Sequence, residues 1–237
     1  MIKAIRYSDL GHADHGWLQS RFHFSFADYY NPKRMGFGKL RVINDDLIKP
    51  GYGFDLHPHK NMEIISYIRS GAVSHQDSEG NKGITNAGEI QVMSAGSGIL
   101  HSEYNLGQTP LTLYQIWIET DKVNVRPRWE TQKFPIKPVT TELPLLVSGF
   151  VDEQADALFI NQKARIFGGC LKHGTVLTQN ISGQAYLLIS EGNFSVSSGS
   201  DNKITLNKGD AAELTDIKEL IIEALVDAEI ILIDLPN

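Results

Sequence analysis

Two short segments of this sequence carry residues whose types and spacing suit metal chemistry. The first runs Gly51-Tyr-Gly-Phe-Asp-Leu-His57-Pro-His59-Lys-Asn-Met-Glu63, and the second runs Met93-Ser-Ala-Gly-Ser-Gly-Ile-Leu-His101-Ser-Glu103. Each holds two potential ligands at positions i and i+2. On a β-strand this spacing turns both side chains to one face. Two such pairs facing each other offer three imidazoles and a carboxylate, a donor set suited to one divalent transition metal. A His-x-His pair alone is often just two surface histidines. Here the second pair and the acids at regular spacing favour a site built from His57, His59 and His101. His12, His15, His23 and His173 lie outside both motifs, and His75 falls on an expected hairpin arm.

The elements that must position these residues read as strands. Short apolar runs rich in β-branched and aromatic residues recur, as in Ile64–Ile68, Leu113–Ile118 and Ile230–Ile233. Turn signals at Asp77–Gly83 and Ser198–Asn202 predict hairpin loops. The one helical expectation is a short turn after Pro127, over Arg128–Gln132. Many short strands at even spacing imply a sandwich or a barrel.

An internal repeat sharpens this. Ile68-Arg-Ser-Gly71-Ala-Val-Ser resembles Ile189-Ser-Glu-Gly192-Asn-Phe-Ser, and Gly192 and Gly209 keep the spacing of Gly71 and Gly88, an offset of 121 residues. Two domains are expected, residues 1–134 and 135–237, divided at the proline-bearing stretch that starts at Phe134. The offset carries His57, His59 and Glu63 onto Thr178, Asn180 and Gln184. The second domain therefore repeats the fold without the ligands.

The whole chain excludes several classes. Its 237 residues suffice for one large or two small domains, and 41% apolar residues argue against wholesale disorder. A net charge of −6 with scattered Lys and Arg argues against a nucleic-acid surface. No run of apolar residues reaches membrane-spanning length, and the N-terminus lacks a signal-peptide core. The single cysteine, Cys170, has apolar neighbours and reads as a buried small hydrophobe. One unpaired cysteine fits a reducing cytosol, so a cytoplasmic location is expected.

The spacing from Gly51 through His57 and His59 to Glu63 resembles the first signature of the cupin barrels. Together, His57-Pro-His59, Met93-x-Ala-Gly-x-Gly-Ile-x-His101-Ser-Glu103 and Gln115-Ile-Trp117-Ile118 resemble the pirin family of bicupins, closest to its bacterial quercetin dioxygenases. The resemblance implies an all-β fold of two tandem cupin-type barrels (a double-stranded β-helix in each). It implies a metal in the N-terminal barrel held by His57, His59, His101 and Glu103, and none in the second. In the general cupin pattern Glu63 would be the carboxylate ligand. The longer loop before His101, with Ser94 where proline is usual, follows the pirin variant, whose carboxylate is Glu103. Glu63 could then still lie beside the ligands and orient an imidazole.

The resemblance points to Fe(II), whereas the donor set alone also admits Zn, Mn, Co, Ni or Cu. It implies a dioxygenase acting on a flavonol such as quercetin. The 3-hydroxyl loses its proton, the oxyanion is held at a Lewis-acidic metal, dioxygen adds, the heterocycle opens and carbon monoxide leaves. Glu103 would be both ligand and base. Gln115 reads as an ordinary strand residue, with a cavity contact as the alternative. The loop Ser94–Leu100, with its glycines and Ala95, is expected to leave room for the substrate. Two alternatives stand beside the enzyme. One is a metal-binding transcriptional co-regulator with a protein partner; the other is a cupin acting on another small molecule.

Overall fold

The computed structural model describes residues 1–135, 137–199 and 203–236. Part of the loop expected at Ser198–Asn202, and Ile136 in the expected linker, lie outside the described residues. The chain is nearly all β, with 3-10 turns at Tyr7–Asp9 and Val151–Glu153. Among the described residues no helix is long and apolar enough to cross a membrane.

Two compact units form. The metal-motif unit comprises Gly11–Lys133 and Leu158–Gln162. Its larger sheet runs, edge to edge, Arg128–Lys133, Glu89–Ser94, Met62–Ser70, Leu111–Glu119, Leu40–Ile48, Leu18–Phe22 and Gly11–Asp14. Its smaller sheet runs Gly53–His59, Ile99–Tyr104, Ala72–Asp77 and Lys82–Asn86. The strand pairs within both sheets are antiparallel. This is the cupin-type barrel that the family resemblance implied.

The other unit comprises Met1–Leu10, Phe134–Ala157 and Lys163–Asn237. It repeats the same strand order: Ile2–Ile5, Ala211–Leu214, Gln184–Glu191, Ala228–Leu235, Arg165–Leu171 and Leu145–Ser148 in one sheet, and Val176–Asn180, Glu219–Ala224, Asn193–Ser197 and Ile204–Asn207 in the other. The units differ from a single cut after residue 134 in two segments. Ile2–Ile5 pairs with Ala211–Leu214, filling the edge position that Arg128–Lys133 fills beside Glu89–Ser94. Asn161 and Gln162 bond to the metal-motif unit at Thr120, Glu119 and Asp121.

Arg128–Lys133 is also where the expected helical turn fails. Its register with Glu89–Ser94 runs unbroken from Arg128 opposite Ser94 to Lys133 opposite Glu89. Cross-strand pairing overrides a weak local helical signal there.

The two interiors differ. In the second unit Leu187, Ile189, Phe194, Val196, Leu206, Leu220, Ile222 and Leu232 are all fully buried in one aliphatic core. Burying each such side chain stabilises the fold by ~1.5–3 kcal/mol. In the metal-motif unit, buried polar residues lie among the apolar clusters: Ser66, His75, Thr85, Gln91, His101, Glu103 and Gln115. Buried polar groups of this kind need partners, and the arrangement of those partners defines the site.

Candidate metal centre

Among the described residues the strand Gly53–His59 lies at the edge of its sheet, paired only with Ile99–Tyr104. An edge strand tolerates Pro58, which cannot donate to a ladder. Gly53 permits the close approach: a Cβ there would sit 2.2 Å from the Glu103 carbonyl oxygen and 2.5 Å from the Tyr104 Cα. His57 stands directly opposite His101, and a register shift follows between His101 and Glu103. Opposed residues share a face, so the two motifs converge.

The ring centroids of His57 and His101 are 4.4 Å apart, those of His57 and His59 4.8 Å, and those of His59 and His101 5.0 Å. Ligating nitrogens of all three lie within 4.8 Å of one another. His57 Nδ1–H donates to the Asp55 carbonyl at 2.6 Å, which leaves Nε2 with its lone pair. His101 is 2% exposed, and neither of its ring nitrogens has a partner among the described residues. Burial first, then the neighbouring imidazoles, push the pKa of His101 down to about 2 and that of His59 to about 4. Both rings are therefore neutral at pH 7, the form that binds metal. A divalent transition metal fits this donor set and would satisfy the orphaned His101 nitrogen.

Glu103 is brought to His101 but grouped differently. It joins His75 and His101 in a second cluster of ligand atoms within 4.8 Å. Its Oε1 accepts from Gln91 Nε2 at 2.5 Å and its Oε2 from Gln115 Nε2 at 2.8 Å. Burial raises its pKa to about 7, against the opposing pull of its hydrogen bonds with Gln91, Gln115 and Ser66. Gln91 is held in turn: its Oε1 accepts from Thr85 Oγ1 at 2.8 Å and Trp129 Nε1 at 3.3 Å. Gln115 is thus no ordinary strand residue. It grips the carboxylate and also lines the cavity beside the histidines.

His75 and His15 escaped the sequence reading. His75 stacks on Trp129 at 4.9 Å, lies 5.4 Å from the His101 ring, and its Nε2 is 3.0 Å from Asp77 Oδ2. Its hairpin position, with Asp77 two residues away on the same face, was the available signal.

Glu63 does not orient an imidazole. It is fully buried, its Oε2 accepts from Ser94 Oγ at 2.6 Å, and its Oε1 accepts from Asn161 Nδ2 at 3.4 Å. The serine that stands where cupins usually carry proline is this glutamate's donor.

A cavity of about 610 Å³ opens beside His57 and His59. Trp17, Phe22, Phe26, Phe54 and Trp117 supply aromatic walls, and Ser20, Asn44, Asp46, Asp55 and Gln115 are among its polar residues. His15 stands on the same wall. The loop Ser94–Leu100 is not part of this lining. Ala95 is fully buried in the cluster of Ile64, Met93 and Ile99, and Gly98, Ile99 and Leu100 border a second cleft of about 540 Å³ that also reaches His59. Space therefore borders His59 on the side of that loop as well as on the aromatic side towards Trp17 and Phe54.

In the second unit the offset-matched Thr178 and Asn180 are exposed, whereas Leu177 and Gln179 are buried. A one-residue slip in strand facing produces this inversion. Leu177 pairs with Ile222, an aliphatic couple inside the core. Among the described residues, both three-membered clusters of candidate ligands lie in the metal-motif unit.

The Pirin family profile matches residues 5–118, and that of the quercetinase C-terminal cupin domain matches residues 145–235. A pirin-like protein of Caulobacter vibrioides is 46% identical over 236 residues, covering 99% of both chains. A quercetin 2,3-dioxygenase of Escherichia coli is 40% identical over 239 residues, covering 100% of this chain and 99% of its own. The crystal structure of the bacterial pirin YhhW from Escherichia coli, in complex with nickel(II), superposes with a TM-score of 0.91 at 39% identity, over 100% of this chain and 99% of that one. Two cupin barrels with a histidine cluster in one define a bicupin. The chain belongs to the pirin family.

Proposed function

We propose that this chain is a metal-dependent dioxygenase that opens the heterocycle of a flavonol such as quercetin. The observation that carries the reading is the convergence of three imidazoles, one with both nitrogens orphaned and the other two at the wall of an aromatic-lined cavity. His57, His59 and His101 hold the metal, with Glu103 as fourth ligand by the family pattern. Mixed nitrogen and oxygen ligation suits Fe(II) and equally Mn, Co, Ni, Cu or Zn. The nickel(II) in the Escherichia coli relative supports a divalent transition metal here. Bound, the metal supplies Lewis acidity that stabilises an anionic oxygen.

The chain's own residues do the rest. Glu103, with a pKa near 7, is poised to take the proton of an acidic hydroxyl at neutral pH. Gln91 and Gln115 hold its two oxygens in place and stabilise the carboxylate by donating to it. The rings of Trp17, Phe54 and Trp117 bury a flat aromatic ligand and exclude water.

Purified protein loaded in turn with Fe(II), Mn, Co, Ni and Cu, mixed aerobically with quercetin, tests the reading. Loss of the flavonol absorbance with one dioxygen consumed per flavonol, stopped by a chelator, is the expected result. No oxygen uptake with any metal would refute it and leave the co-regulator or another substrate.

A further inference from the structure

Three neighbouring strands turn polar side chains into the aromatic cavity. Asp46 stands opposite Ser20, and Asn44 stands opposite Gln115. Ser20, Asn44, Asp46 and Gln115 all line the cavity, and all are more than nine-tenths buried. Gln115 is committed to Glu103. The other three are not used by the proposed chemistry.

Their hydrogen bonding is incomplete. Ser20 Oγ–H donates to Asp46 Oδ1 at 2.5 Å. Asn44 Oδ1 is buried and has no partner among the described residues. The buried Nε1–H of Trp117, whose ring lines the same cavity, has none either. A buried acceptor left without a donor is costly, so such atoms in a native cavity await a ligand that supplies the missing partner. An aliphatic floor would hold a bare aromatic ring better, and the second unit shows that this fold readily builds an aliphatic interior. Burial holds the Asp46 carboxyl protonated up to about pH 7, so it can donate as well as accept.

We propose that Ser20, Asn44 and Asp46 form a hydroxyl-recognition strip that selects polyhydroxylated aromatic ligands over bare ones. The proposal rests on the reading of this cavity as a flavonol site and names the part of it that sets specificity. A ring hydroxyl donates to Asn44 Oδ1, and a second exchanges hydrogen bonds with the Ser20–Asp46 pair. The aromatic body packs between Phe22 and Trp117. Sites that hydrogen-bond a hydroxyl discriminate strongly against analogues that lack it, because their own polar groups are then stranded.

Binding, not turnover, tests the strip. Zinc-loaded protein is titrated under argon with quercetin and with 3-hydroxyflavone, which keeps the 3-hydroxy-4-keto group and lacks the other hydroxyls. Tryptophan fluorescence reports binding. The wild type is expected to bind quercetin at least about tenfold more tightly, the equivalent of one well-made hydrogen bond. In Asn44→Leu and Asp46→Leu the ratio should fall below about threefold through weaker quercetin binding, with zinc content unchanged. Ser20→Ala, the mildest change, should reduce the ratio in the same direction if either leucine variant fails to fold. A wild type without preference, or folded variants that keep it, overturns the proposal. Selective binding without oxygen uptake would keep the strip and refute the dioxygenase. Turnover with equal kcat/KM for both flavonols would do the reverse.

Discussion

His57 and His101 face each other directly across an antiparallel strand pair, with ring centroids 4.4 Å apart. The Gly53 contact lets the strands close, and His57 Nδ1–H is held by the Asp55 carbonyl. Two imidazoles from distant motifs are thus set on one face before any ion arrives.

Removing either histidine should empty the site without unfolding the barrel. His57→Ala or His101→Ala is expected to lose most bound metal, read by elemental analysis, while circular dichroism and the metal-free melting curve stay near wild type. The wild type should bind one equivalent per chain, since the second unit fills its interior with Leu177, Leu220 and Ile222. Full occupancy in both variants, or two tight equivalents in the wild type, would defeat the assignment.

The two buried glutamates should separate. Glu63→Gln keeps an acceptor for Ser94 and should retain metal, at a stability cost of about 1 kcal/mol. Glu103→Gln places a third amide between Gln91 and Gln115 and should weaken metal retention by about 10- to 100-fold, with turnover abolished. The opposite pattern would return the ligand role to Glu63.

Metal uptake should release a proton, and the proton should come from Glu103. Burial raises this carboxyl to about 7, so below that pH the metal-free protein holds it protonated, and a metal that takes the carboxylate must expel the proton. Affinity should therefore fall about tenfold per pH unit below 7. His59 and His101, lowered to about 4 and 2, are already neutral at pH 6. Calorimetry at pH 6 in buffers of different ionisation enthalpy should find close to one proton fewer released in Glu103→Gln than in the wild type. A wild type that releases none contradicts this.

His23 should make the fold acid-sensitive. Burial, then Arg34, lowers its pKa from 6.5 to about 3. Above pH 6.5 both folded and unfolded chains hold it neutral. As pH falls from 6.5 towards 3 the unfolded chain takes a proton that the folded chain refuses, costing about 1.4 kcal/mol per unit. Urea titrations of metal-free His23→Leu at pH 7, 6 and 5 should show a shallower loss of stability than wild type. Equal slopes would place the acid sensitivity elsewhere.

The histidine ligand candidates were legible because they depend on local spacing. His57 and His59 need only strand alternation, and His101 needs only a second strand. The partners of Glu63 were not legible, because Asn161 is 98 positions away. The cavity floor was equally hidden: Asn44 and Asp46 resemble any polar strand residues until Ser20 and Gln115 are paired beside them. Arg128–Gln132 read as helical because its strand partner, Glu89–Ser94, lies far back in the chain. Thr178 and Asn180 kept the repeat offset while their strand turned its other face inward.

Pairings between segments far apart in the sequence also bear on how the chain is made. Ile2–Ile5 pairs with Ala211–Leu214, and the Thr215 N–H donates to the Met1 carbonyl. At about 5–20 residues per second of synthesis, the first strand waits roughly 10–40 s for its partner to leave the ribosome. Glu63 likewise waits for Asn161. The metal-motif barrel therefore emerges before its last clamp, and Ile2–Ile5 is made long before the strand it pairs with. During that interval Ile2–Ile5 is an unpaired, apolar edge segment of the kind that chaperones bind.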